Sequence, residues 1–192
     1  MTNIEQRSIA AELRAGDSLQ IAGSAVPYGK LSNDLGGFRE QFSQGAFAET
    51  LADPNNEVWL LWAHNLAQPL AARKAGTLQL FDEQAGLRFD AKMNNTTWSR
   101  DAYEAIRSRS VSGVSFRFTV PKGGDSLARA NGELVRIVHR ANLLEISPTP
   151  LPAYPQTAVG VRSAAEVLAS FREPGMVERD LLAQLIELER MH

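Results

Sequence analysis

Residues 111–120, VSGVSFRFTV, alternate in a way that suits only an extended strand. Val114, Phe116, Phe118 and Val120 fall on one face, and Gly113, Ser115, Arg117 and Thr119 on the other. A helix would scatter the four apolar side chains around its axis, whereas a strand lines them up for burial. The chain must therefore build a sheet and cover one of its faces. Hydrophobic residues make up 44% of the 192 residues and charged residues 22%, enough apolar material for a folded core.

The other segments extend this reading. Residues 18–25, SLQIAGSA, and 38–42, FREQF, read as strands, with a turn at Pro27-Tyr28-Gly29-Lys30 between them. Residues 43–51 read as a short helix capped by Ser43, with Phe47 and Leu51 on one side. Residues 58–63, VWLLWA, form an apolar run of strand length, the pattern of a strand buried on both faces, and His64 stands at its end. Strands are expected over 76–81 and 86–91, joined by an acidic turn at residues 82–85. A helix is expected over 97–107, with Ala102, Tyr103 and Ile106 turned inward. Residues 122–131 read as a polar loop. Residues 133–146 read as one long strand with an irregularity near Arg140-Ala141-Asn142, followed by an irregular path through Pro148, Pro150, Pro152 and Pro155. The last part, residues 162–192, reads as a linker and an amphipathic helix over 177–191, apart from a main domain over 1–161. With about seven strands, three helices and no strand–helix alternation, the fold class expected is strand-dominated α+β.

Several classes of function are disfavoured by composition. The net charge is −2, without the concentrated Lys and Arg that phosphate binding requires, so no nucleic-acid partner is expected. The absence of cysteine removes disulfides, thiolate metal sites and a thiol nucleophile. No segment reaches the roughly 18 apolar residues of a membrane span. The first residues, MTNIEQRSIAAELR, lack an apolar signal core, so a cytosolic protein without a membrane partner is expected. No glycine-rich phosphate loop is present, and no cofactor is called for.

Three histidines occur: His64, His139 and the terminal His192. His64, on a rigid strand with a polar loop after it, is well mounted to act as a general base, or it is a structural histidine with satisfied hydrogen bonds. Ser115 interrupts an apolar strand from the opposite face, beside the small Gly113. It is a strand-borne candidate nucleophile or an ordinary solvated serine, with Ser112 as its rival. It lacks the second glycine of a nucleophile elbow. Glu145 lies among aliphatic residues and needs a partner there, either a catalytic histidine or an arginine. His139 competes for the third position, because in a regular strand it would share a face with Glu145. A metal site would need His64, His139 and a carboxylate, without any HExxH spacing, and none is expected.

Taken in order, six segments resemble the prohead protease family of HK97-type tailed phages, with relatives in gene transfer agents. They are Ile21-Ala22-Gly23-Ser24-Ala25, then Phe42-Ser43-Gln44-Gly45-Ala46-Phe47, then the apolar strand ending in His64. Ala85-Gly86-Leu87-Arg88-Phe89 and Val111-Ser112-Gly113-Val114-Ser115-Phe116-Arg117-Phe118 follow. The last is Leu144-Glu145-Ile146-Ser147 with Pro152-Ala153-Tyr154-Pro155 and Ala158. The resemblance spans about residues 21–161. It implies a closed β-barrel wrapped by helices, similar to the herpesvirus maturation proteases. It implies a serine endopeptidase with His64, Ser115 and, as the acidic third member, Glu145; the herpesvirus relatives keep His139 open, since they use a second histidine. The implied substrates are the scaffolding segment of the major capsid protein and the chain itself, cut in its tail from Arg162 onward, with a dimer left open. The implied location is inside the immature capsid, in the bacterial host cytoplasm. Two departures stand out: Asn65 replaces the usual Asp after the histidine, and Arg117 stands where many members have Gly. The competing class is a non-catalytic internal scaffold protein of the same particle.

Overall fold

The computed structural model describes residues 4–10, 13–130 and 132–150. Twelve strands and two helices lie among them. In chain order they are β1 (Glu5–Ala10), β2 (Leu13–Ala15), β3 (Gln20–Pro27), β4 (Arg39–Phe42), α1 (Ala48–Ala52), β5 (Trp59–Trp62), β6 (Asn65–Ala72), β7 (Leu78–Glu83) and β8 (Gly86–Lys92). They continue with α2 (Thr97–Arg107), β9 (Gly113–Thr119), β10 (Asp125–Ala130), β11 (Glu133–Val138) and β12 (Asn142–Thr149). The strand-dominated α+β class expected from the sequence is therefore the one found. No helix among the described residues is long and apolar enough to cross a membrane.

The closed barrel is not found. The described strands divide into three sheets, ordered β1-β9-β12-β5-β6, β10-β11-β4 and β2-β3-β8-β7. Closure requires every strand to have two neighbours. Here the outermost strand of each sheet pairs on one side only, because the local hairpins β5–β6, β7–β8 and β10–β11 each spend a strand on an edge. The five-stranded sheet is mixed: β12 runs antiparallel to β9 and parallel to β5.

A single apolar cluster joins all three sheets and α2. Phe116 and Phe118, from one face of β9, meet Phe42 edge-on at centroid distances of 5.6 and 5.2 Å, and Phe42 stacks on Phe47 at 5.6 Å. Such aromatic pairs add specificity of orientation to the burial itself. The expected inward residues of α2 are partly as predicted: Ala102 and Ile106 are buried and Tyr103 packs at the margin. The Thr96 side chain caps α2 by accepting from Ser99 N–H.

Several expectations give way. β1 and β2 lie in a stretch with no strand assigned from sequence, β6 replaces the loop after His64, and β10 replaces the polar loop. Each is an edge strand or a polar hairpin arm, so its apolar alternation is weak. Ser43 does not cap α1, which starts later with Phe47 at its cap position. The run 58–63 is not buried on both faces, since Trp59 is 40% exposed. The long strand 133–146 is two strands in different sheets, broken at 139–141 near the expected irregularity. The proposed tail, with its boundary after Val161 and its helix over 177–191, lies outside the described residues.

Gly86 illustrates how tightly β3 and β8 meet. It has φ +154°, and a Cβ there would lie 2.2 Å from the Val26 carbonyl oxygen. The obstacle is backbone, which cannot swing aside. Gly86→Ala is expected to destabilise the protein by about 2–3 kcal/mol, read by urea unfolding. A loss under about 0.5 kcal/mol would show that the β3–β8 contact is loose.

Candidate active site

The face of β9 opposite the aromatic core carries Ser115 and Arg117. In register beside it, β12 places Ser147 across from Ser115 and Glu145 across from Arg117. On the other side, β1 places Ser8 opposite Ser115 and Gln6 opposite Arg117. Residues two apart share a face, so these six side chains project from one side of the sheet.

His64 reaches this face from the β5–β6 hairpin. Trp62 and Asn65 pair, leaving Ala63 and His64 as a two-residue turn. Both have positive φ, 47° and 63°. That is the twist of a type I′ turn, usually made by Asn and Gly, and it is strained for Ala and His. Such strain persists only where surrounding contacts hold it. Two do so here: the His64 backbone N–H donates to Ser147 Oγ at 3.0 Å, and the imidazole Nδ1 is hydrogen-bonded to Glu145 Oε1. Glu145 Oε2 in turn accepts from the Ser147 hydroxyl at 2.6 Å. The His64 Nε2 atom is buried and makes no hydrogen bond to the protein.

Ser115 is fully buried, not the solvated strand serine that its polar face suggested. Its hydroxyl donates to the Arg7 carbonyl at 2.8 Å, so it is not bonded to His64. Its rival Ser112 lies before β9 begins and is exposed. Arg117 Nε donates to Gln6 Oε1 at 3.0 Å and lies 3.5 Å from Glu145 Oε1. His139 is exposed and stands apart from this group, with Nδ1 on Ser43 Oγ at 3.0 Å and Nε2 on Ser126 Oγ at 2.8 Å. The break between β11 and β12 removes the regular strand that would have put His139 and Glu145 on one face.

The structure thus brings His64 and Glu145 together, sets Ser115 on the same sheet face, and sends His139 elsewhere. Two participants were missed from sequence. Ser147 had a readable signal, the period-two spacing from Glu145. The Arg7 carbonyl had none, because a backbone acceptor belongs to every residue.

Across from this site the core face of β1 carries a buried ionic group. Arg136, fully buried on β11, donates to Glu5 Oε1 and Oε2 at 2.9 and 2.5 Å, and to Glu40 Oε2 and Asp125 Oδ2 at 2.8 and 2.7 Å. Arg7 bridges Glu5 and Glu40 at 2.9 and 2.7 Å and lies over the Phe118 ring. Burial pushes the Glu5 carboxyl up, but the hydrogen bond and charge of Arg136, and then those of Arg7, outweigh it and hold Glu5 below the ordinary carboxylate range. The group joins β1 to the β10-β11-β4 sheet, and β1 supplies the carbonyl that engages Ser115.

No curated protein sequence matches the chain. Among solved structures, the bacteriophage T4 capsid assembly protease aligns at 14% identity with a TM-score of 0.49, over 78% of this chain and 98% of that one. The family model of the caudovirus prohead serine protease matches residues 3–170, which is most of the chain, and the chain belongs to that family of capsid-maturation serine proteases.

Proposed function

We propose that this prohead protease cuts peptide bonds with Ser115 as nucleophile, His64 as general base and Glu145 as the group that orients His64. The observation that carries the assignment is the state of His64. Its Nδ1 is engaged by a buried carboxylate while its Nε2 is left without a protein partner, as a general base requires.

The Ser115 hydroxyl turns from the Arg7 carbonyl toward His64 Nε2 and attacks the substrate carbonyl as Nε2 takes its proton. Glu145 accepts from Nδ1–H, fixes the tautomer and stabilises the imidazolium. His64 then passes the proton to the leaving amine, and water enters by the same route in reverse. Hydrogen bonds of this kind are often unmade in the free enzyme and form in the substrate complex.

The proposed substrates are the scaffolding segment of the major capsid protein and the protease's own tail from Arg162 onward, both enclosed in the immature shell. The test has two arms. A fluorophosphonate reagent reacts with an activated serine, and peptide mapping of the labelled protein should find the adduct on Ser115. Co-expression with the cognate capsid protein, read by intact mass, should show both chains shortened. An adduct on another serine would overturn the nucleophile. Normal shells assembled without any cleavage would favour the scaffold role instead.

A further inference from the structure

We propose that Ser147 is a positioning residue of the active site, which rests on the assignment of His64, Ser115 and Glu145 above. Its single hydroxyl closes a ring of hydrogen bonds. The oxygen accepts from the His64 backbone N–H at 3.0 Å and its hydrogen goes to Glu145 Oε2 at 2.6 Å, while the other carboxylate oxygen holds His64 Nδ1. One side chain thereby fixes both the main chain of the base and the rotation of the carboxylate that orients it.

Three features make this more than incidental packing. Ser147 is fully buried, so water does not compete for its hydroxyl. It sits on β12, held between β9 and β5 in the middle of the sheet, which gives it a rigid mount. The turn it grips is strained, with Ala63 and His64 both at positive φ, and would relax if released. Ser147 is also the cross-strand partner of Ser115, so the base is indexed to the very register position that carries the nucleophile. A hydroxyl suits this place because it donates once and still accepts, and alanine can do neither.

The test compares the full chain with its Ser147→Ala, Ser147→Thr and Ser115→Ala variants on a peptide spanning the capsid-protein cleavage site. Loss of positioning should lower kcat of Ser147→Ala on the order of 10- to 100-fold, with KM within about 2-fold of wild type. Ser147→Thr keeps the hydroxyl and should regain kcat to within about 3-fold. The low-field proton resonance of the His64 Nδ1–H should move or vanish in Ser147→Ala while thermal unfolding still shows a folded protein. Should the threonine variant not fold, the resonance and the kcat–KM split of Ser147→Ala decide.

An unchanged kcat in Ser147→Ala, with Ser115→Ala inactive, overturns the positioning role alone. A loss that threonine does not restore in a folded protein, with the resonance unmoved, assigns Ser147 to packing and also overturns it. Full activity in Ser115→Ala removes the nucleophile and the positioning role together.

Discussion

Ser115→Ala is expected to lower kcat on the order of a million-fold, leaving only what substrate binding and oxyanion stabilisation supply. The size follows from the chemistry. On the proposed assignment, removing the hydroxyl leaves no acyl-enzyme and takes from His64 the group whose proton it would remove. The fold should survive. Ser115 is buried, but the change deletes one hydroxyl, and the Arg7 carbonyl that accepts from it loses a single neutral hydrogen bond, worth about 1 kcal/mol. Circular dichroism should therefore show a folded protein while capsid protein co-expressed with it keeps its full mass. Ser112→Ala, by contrast, touches an exposed residue outside the strand. If Ser115→Ala still cleaves at the wild-type site, the nucleophile lies elsewhere.

The second large effect concerns stability. Arg136→Met is expected to destabilise the protein by about 3–5 kcal/mol, because it leaves buried carboxylates facing one another. Glu5 and Glu40 are 1% and 2% exposed, and Arg136 donates to both, twice to Glu5 and once to Glu40, while Arg7 donates once to Glu5 and twice to Glu40. Arg7 remains, but one guanidinium cannot replace both. Urea unfolding at neutral pH measures the change, and a loss below about 1 kcal/mol would show that water or protonation relieves the site.

The same group sets an acid limit. The folded carboxyl of Glu5 lies below its ordinary value of 4.5. A lowered value means that its stabilising contribution is fully present above that ordinary value and is lost as pH falls through the folded one. Acid should therefore destabilise the wild type more steeply than Arg136→Met, in which the same carboxyl is no longer held down. Since β1 carries both this group and the carbonyl beside Ser115, opening of β1 in acid should also free the serine.

Local residue chemistry decided a good deal before any fold was known. The alternation of residues 111–120 gave β9 with Phe116 and Phe118 to the core and Ser115 to the other face, and the amphipathic run 97–107 is α2 at the same residues. These are short-range properties: a period of 2 or 3.6 is written within one element. The family resemblance in the sequence implied His64, Ser115 and Glu145 as a set, which period and spacing could not select from the alternatives. What the sequence did not show was partnership. Backbone hydrogen bonds are alike for every residue, so a strand's pattern tells that it pairs but not with whom. Only the tertiary structure laid β5 parallel to β12 and so brought His64 to Glu145, 81 residues away. It also broke the strand that would have delivered His139, and slid the weakly patterned β1 against β9 until the Arg7 carbonyl met the Ser115 hydroxyl.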